Sequence, residues 1–454
     1  MRRVQQHNRI NYEENKLKSL KVGVCGLGTV ASGVINVIKR NQKEIAARAG
    51  CQIEVIHVAS RRLKDNCDMA GIEFTTDLMA VVNHPDVDVI AELIGGYDLA
   101  KELVCQAIQN GKHVVTANKA LIAEHGNEIF QLAAEHNVIV AYEAGVAGGI
   151  PIIKALREGL AANKINWLAG IINGTGNFIL TEMKNKGRDF ADVLEEAQAL
   201  GYAEADPTFD VEGTDAAHKL AIMASVAFGV PLQFDRVFTE GISALSTIDI
   251  NNAEELGYCI KHLGIARRHE NGIELRVHPT LVPQHQLISK VDGVMNSVLV
   301  DGDAVGQTLY YGAGAGAEAT GSAVIADIVD IARTMNSNAG ILVPCLGFVP
   351  EKMHNLPVMP IEDITSAYYL RLTADDHPGV LANVASIMSD LGINIESVRQ
   401  KESERKDGTI PLVMQTHDVK ERQINQAIAK IEALETVIGS VVRIRVEHFN
   451  GSDD

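Results

Sequence analysis

Leu20-Lys21-Val22-Gly23-Val24-Cys25-Gly26-Leu27-Gly28-Thr29-Val30-Ala31 is the stretch that sets the fold class. The apolar run that ends at Cys25 reads as a buried strand. A Gly-x-Gly-x-x-Ala turn follows, then a helix over about residues 30–49, then a second apolar run over 53–60. Strand, glycine turn, helix and strand in that order give the context a dinucleotide-binding fingerprint requires. Gly26 permits the tight turn, Gly28 lets the backbone approach a pyrophosphate, and Ala31 allows close packing of helix on strand. The amides of Leu27, Thr29 and Val30 lie where a helix start offers N–H groups to phosphate oxygens.

The second strand ends in Ser60-Arg61-Arg62. A site for NAD(H) more often places an acid there for the ribose 2′-hydroxyl, whereas guanidinium groups suit a 2′-phosphate. Arg61 therefore turns the expectation to NADP(H), with NAD(H) second; the plainer reading is that both arginines solvate a strand end. Further strands at 87–93, 113–116 and 138–143 alternate with helices at 101–110 and 121–136, so residues 19–145 read as one doubly wound α/β domain. The glycine-rich Gly312-Ala313-Gly314-Ala315-Gly316-Ala317 precedes a helix at about 319–335, expected to return and complete that domain through 317–345.

Residues 146–316 change rhythm and read as an α+β domain. They hold a helix at 151–160, a strand at 164–172, a mostly helical stretch at 176–230, and alternating segments such as 273–282 and 294–300. The alternation reads as the exposed face of a mixed sheet. Residues 346–365, with three prolines, read as a linker. Residues 366–448 follow the order β-α-β-β-α-β, a ferredoxin-like sandwich. Residues 1–18 are a polar tail without the apolar core of a signal peptide.

The chain has 454 residues and a net charge of -17, which disfavours nucleic acid and anionic membranes as partners. No apolar run is long enough to span a bilayer, and the six cysteines form no close pair, so a soluble protein of a reducing cytoplasm is expected. The histidine spacing shows no transition-metal ligand set.

The chemistry concentrates in Gly201-Tyr202-Ala203-Glu204-Ala205-Asp206-Pro207-Thr208-Phe209-Asp210-Val211-Glu212-Gly213-Thr214-Asp215-Ala216-Ala217-His218-Lys219. Four acids crowd a loop before a helix on which Asp215 and Lys219 stand one turn apart and can pair. A lysine beside an acid in a cleft can move a hydroxyl proton, and clustered carboxylates can hold an ammonium; the bland reading is a solvated ion pair. Lys119, after Thr116-Ala117-Asn118, lies at a strand's C-terminal end, where open α/β sheets bind ligands, or is simply a helix-start surface lysine. Glu143 precedes a loop whose carbonyls at Val146, Gly148 and Ile150 can join it on a hard cation, unless the loop only crosses between domains. Asn173-Gly174-Thr175-Gly176-Asn177 is a polar turn suited to a cleft wall. There is no serine nucleophile elbow, and no cysteine lies in these loops for a phosphorylating aldehyde dehydrogenase.

Taken together, these segments resemble homoserine dehydrogenases, in the form with a C-terminal ACT domain, over about residues 19–446. The resemblance implies a Rossmann-type domain, an α+β substrate and dimerisation domain, and an ACT domain. It implies reversible hydride transfer between NAD(P)H and L-aspartate 4-semialdehyde to give L-homoserine. By match, Lys219 and Lys119 are catalytic, Glu204, Asp210 and Asp215 bind substrate, and Gly201 and Gly316 touch the cofactor beside Lys119. A sodium or other monovalent cation is implied at Glu143, Val146, Gly148 and Ile150. The opening Leu370-Arg371-Leu372-Thr373-Ala374-Asp375-Asp376-His377-Pro378-Gly379 resembles that of an ACT domain. It implies L-threonine as effector at Asp376, Gly379 and Asn394, in a homodimer or homotetramer. No aspartokinase segment is expected. Alternatives are another semialdehyde or amino-acid oxidoreductase on this scaffold, or a non-catalytic amino-acid sensor.

Overall fold

The computed structural model describes residues 19–64, 67–337, 343–400 and 408–449; the tail at 1–18 lies outside the described residues. The described residues form two compact units, one from within 1–165, 218–235 and 310–355, the other from within 166–217, 236–309 and 356–454.

The first unit is built on six parallel strands: β1 (Ser19–Cys25), β2 (Gln52–Ala59), β3 (Glu73–Thr75), β4 (Val89–Glu92), β5 (His113–Thr116) and β6 (Val140–Ala141). Their spatial order is β3-β2-β1-β4-β5-β6. The order reverses between β1 and β4, so this is a doubly wound sheet whose ligand crevice opens at their C-terminal ends. Leu20, Val22, Val24, Val89 and Ala91 are fully buried in its core.

The single helix expected over 30–49 breaks at Asn41, giving Thr29–Arg40 and Gln42–Ala49. The last strand shortens to two residues because the chain turns at once into a 3₁₀ segment, Glu143–Gly145. The helix Ala317–Asn336 does return to this unit, and glycines set how closely it lies on Thr29–Arg40. A Cβ on Gly33 would stand 2.0 Å from the Ala317 carbonyl oxygen, and one on Gly321 would stand 3.0 Å from the Gly33 carbonyl carbon.

The second unit carries a long sheet. Its strands are β7 (Ile165–Ile171), β8 (Phe238–Thr239), β9 (Tyr258–Arg268), β10 (Ile273–Pro283), β11 (Met295–Gly302), β12 (Gly306–Ala313), β13 (Thr365–Asp375), β14 (Ile395–Gln400), β15 (Thr409–Thr416), β16 (Val419–Lys420) and β17 (Val437–Val446). The path is β12-β11-β7-β9-β10-β17-β13-β15-β14, with β8 beside β10 and β16 beside β13. Its last four strands, with the helices Val380–Asp390 and Glu421–Glu432, make the antiparallel β-α-β-β-α-β sandwich expected at the C-terminus. β17 pairs in parallel with β10 at Thr280↔Arg445 and Leu281↔Val446, so one sheet runs through both parts. Segment 346–365 is pinned rather than loose: the Ile273 amide donates to Pro357 O and the Met359 amide to Ile273 O, both at 2.9 Å.

The alternating stretch at 273–282 corrects the sequence reading, because every residue of β10 is buried. Its polar positions do not meet solvent. Arg276 donates through Nε to Glu274 at 3.0 Å, through Nη2 to Glu447 at 2.5 Å, and bonds His278 Nε2 at 2.8 Å. The polar face of the strand is an internal ion network. Among the described residues no helix is long and apolar enough to cross a membrane, and all six cysteines are free thiols.

Candidate functional site

In the first unit the glycine turn has the expected shape. Gly26 has φ 106° and a Cβ there would meet Leu93 O at 2.6 Å, so the position requires glycine. Gly28 begins the helix with nothing within 4 Å of its Cβ position and no side-chain cap. The first-turn amides are thus available to an anion over open space. Arg61 and Arg62 lie exposed beyond the end of β2, and neither forms an ion pair among the described residues. Gly316, at φ 125°, opens the returning helix.

Glu92, which the sequence reading passed over, organises the crevice edge. It is fully buried at the end of β4. One carboxylate oxygen accepts from the amides of Ile94 (2.9 Å) and Gly95 (3.1 Å), and the other from Thr116 Oγ1 (2.6 Å). Burial pushes its pKa up, against the pull of those hydrogen bonds. Thr116 Oγ1 in turn accepts from the Asn118 amide (2.9 Å), and the Asn118 side chain bonds Gly96 O (2.7 Å) and caps the next helix. Lys119 is the first residue of that helix, half-buried at the sheet's C-terminal edge. The available signal was an acid closing an otherwise apolar strand.

Glu143 behaves differently from expectation. Its carboxylate accepts the amides of Ile153 (2.9 Å) and Lys154 (2.8 Å), capping the next helical turn instead of facing the loop. Burial, then the neighbouring Asp327, raises its pKa to about 7. Lys154 Nζ stands 3.3 Å from Asp327 and supplies the local positive charge. The loop carbonyls are held by backbone geometry: Ala147 and Gly148 have φ of 54° and 50°, and a Cβ on Gly148 would strike Gly314 O at 2.5 Å. Oxygen donors of this kind fit a hard cation; the carboxylate is already committed elsewhere.

In the second unit Asn173 draws the predicted acids together. Its side-chain oxygen accepts the Gly176 amide at 2.7 Å, capping the helix Gly174–Lys186. Its nitrogen donates to Asp210 and to Asp215, each at 2.8 Å. Thr175 Oγ1 donates to Tyr202 O at 2.6 Å, which ties this turn to the loop containing Gly201 and Glu204. Gly201 (φ 76°) and Glu204 are exposed. Asp215, 5% exposed, lies in the first turn of the helix Thr214–Phe228, and Lys219, 9% exposed, lies one turn on. One amide thus holds Asp210, from the short helix Thr208–Val211, and Asp215, whose own helix runs on to Lys219 in the first unit.

The proposed effector residues are exposed. Asp376 and Gly379 precede the helix Val380–Asp390, and Asn394 follows it. Within one chain they are therefore at opposite ends of an element about 16 Å long.

Comparison with known proteins gives the family. The family model described as homoserine dehydrogenase matches residues 151–329, its NAD-binding domain matches 26–143, and an ACT domain matches 368–436. The homoserine dehydrogenase of Pseudomonas aeruginosa is 64% identical over 96% of this chain and 100% of its own length. That of Neisseria gonorrhoeae is 52% identical with the same coverage. The crystal structure of a homoserine dehydrogenase from Thiobacillus denitrificans superposes with a TM-score of 0.92 at 56% identity, covering 96% of this chain and 100% of that one. A dinucleotide-binding domain, a homoserine dehydrogenase domain and an ACT domain in this order, with relatives matched along nearly the whole length, place this chain in the homoserine dehydrogenase family, as an NAD(P)-dependent oxidoreductase.

Proposed function

We propose that this chain interconverts L-aspartate 4-semialdehyde and L-homoserine with NADP(H) preferred over NAD(H), under restraint by L-threonine. The observation that carries the reading is the Asn173 clamp on Asp210 and Asp215, one helical turn before buried Lys219. When bound, the nicotinamide cofactor supplies the hydride. Lys219 donates the proton to the substrate oxygen during reduction and takes it back during oxidation. Asp215 and Glu204 bind the amino-acid end, with Glu204 toward the ammonium, and Asp210 shapes the polar wall. Asn173 fixes the two aspartates so that their charge is in place before substrate arrives. Lys119, positioned by the Glu92–Thr116–Asn118 chain, polarises the reacting carbonyl. A sodium-class cation is held by the carbonyls of Val146, Gly148 and Ile150, with Glu143 buttressing that loop from behind; its part is to hold the loop's shape.

The separation of Asp376 and Gly379 from Asn394 supports a homodimer or homotetramer, since an effector touching both ends of one helix type needs them from two copies. The free thiols fit a reducing cytoplasm. Turnover of homoserine, followed by nicotinamide absorbance with each cofactor and with or without threonine, tests the reading. Lys219→Ala is expected to lower kcat about 10²–10⁴-fold in a folded protein. Full activity in that variant overturns the role of Lys219, and no response to saturating threonine overturns the regulation.

A further inference from the structure

His57, Glu73 and His84 converge at the β3 edge of the parallel sheet, and none of them is among the residues assigned above to cofactor, substrate, cation or effector. His57 lies on β2, 4% exposed, and neither of its ring nitrogens has a hydrogen-bond partner. A buried imidazole normally satisfies at least one nitrogen, so this side chain lacks the partner that its burial calls for. Glu73 opens β3 directly beside it in the parallel register, His57↔Glu73, and its Oε1 stands 4.0 Å from His57 Nε2. His84, in the turn after the helix Leu78–Val82, completes the group, its ring edge-on to that of His57 with centroids 5.3 Å apart. One ligand atom from each of the three residues lies within 4.8 Å of the others.

We propose that His57, Glu73 and His84 bind a divalent transition-metal ion of the zinc class. Two imidazoles and one carboxylate are the donor set such ions prefer over magnesium or calcium. Ligand atoms around a tetrahedral ion stand about 3.4 Å apart, from bonds of about 2.1 Å, so closure asks for a shift of about an ångström. Glu73, with its side chain 67% exposed, is free to supply that shift. His57 is fixed by the core. His84 Nδ1 accepts a 3.2 Å bond from the Asp86 amide, a weak contact that ligation through this ring gives up. The turn that carries His84 is itself anchored, because Lys112 Nζ donates to His84 O (2.5 Å) and Val87 O (2.6 Å). That ammonium opposes a second cation nearby, which sets the affinity below that of a closed structural site. Three protein ligands leave a position for water, so the ion exchanges. Sequence spacing hides the site, because its ligands come from two strands and a turn.

The test uses the full-length protein stripped of metal by a chelator. Zn²⁺ is titrated against a chromogenic competitor, and Co²⁺ serves as a spectroscopic probe through its visible d–d band. The wild-type chain is expected to take up one exchangeable ion, to show a four-coordinate cobalt band, and to melt at higher temperature with zinc. Glu73→Gln should weaken binding by at least about tenfold, and His84→Asn should abolish the cobalt band while homoserine turnover stays intact. Both changes lie outside the core, so folding is preserved. Stoichiometric zinc binding that survives in the Glu73→Gln/His84→Asn double variant would show that other histidines are responsible and overturn the proposal. Absence of competitor displacement by the wild-type chain overturns it equally.

Discussion

The two sheets bury charge in different ways. In the parallel sheet the carboxylate of Glu92 is surrounded by neutral donors: two amides and a hydroxyl. In the long sheet Glu274, Arg276 and Glu447 are buried against one another, and Arg445 is buried against Glu421 and Glu240. A charge held by neutral dipoles can lose its ionisation and keep its hydrogen bonds. A charge held by an opposite charge cannot, because removing one partner leaves the other uncompensated in the interior. The first arrangement positions a loop; the second locks a strand between two parts of a sheet.

The largest effect should come from breaking the second kind. Glu447→Ala leaves the fully buried Arg276 with one carboxylate instead of two, and should cost about 3–5 kcal/mol in urea unfolding of the second unit. Glu92→Gln should cost less, about 1–2 kcal/mol, since the amide oxygen still accepts from the Ile94 and Gly95 amides. Equal losses in the two variants would abolish the distinction.

Acid should separate the two next. Burial opposes ionisation of Glu274, but the charge of Arg276 and the His269 hydrogen bond outweigh it and hold its pKa down from 4.5 to about 2. Its folded pKa is depressed, so its stabilisation is present above pH 4.5 and is lost as pH falls from there toward about 2. The amount is on the order of 3 kcal/mol. Glu92 has the opposite sign. Its folded pKa is raised from 4.5, so ionisation is penalised in the native state and stability declines as pH rises from 4.5 through the folded value. Glu274→Gln should flatten the acid limb of a stability–pH curve and Glu92→Gln the limb above it. The same limb flattening in both would sink the sign assignment.

The same contrast explains what could be read from sequence. β1 and β4 are largely buried and mostly apolar, with Lys21 and the closing Glu92 as exceptions, so their runs announced themselves, and the glycine turn followed from its place between strand and helix. β10 alternates polar and apolar residues, which looks like a half-exposed strand. Period-two patterning reports polarity, and the partners that bury Arg276 come from Glu447, 171 positions away. Lys219, Asp210 and Asp215 stood within one short block, so their grouping was legible; Asn173, which holds the acids, was visible only as a polar turn. Glycines divide likewise. Gly33→Ala drives a Cβ to within 2.0 Å of backbone and should cost about 1–3 kcal/mol of stability. Gly28→Ala meets nothing within 4 Å, so it should leave stability unchanged and raise the KM for cofactor. A stability loss from Gly28→Ala would show that the turn is packed for itself and not for a phosphate.

The smallest effect sits at the end of β2, where charge is neither buried nor paired. Arg61 and Arg62 are exposed, so their removal should not change stability, and a 2′-phosphate contact in water gains far less than a buried ion pair. Arg61→Ala should therefore raise the KM for NADP⁺ by about tenfold, roughly 1.4 kcal/mol, while leaving that for NAD⁺ unchanged. Added salt should narrow the gap, because an exposed contact is screened where the Arg276 network is not. A parallel loss with both cofactors would mean that the arginine supports the strand end rather than reading the phosphate. Any preference for NADP(H) would then have to come from elsewhere in the crevice.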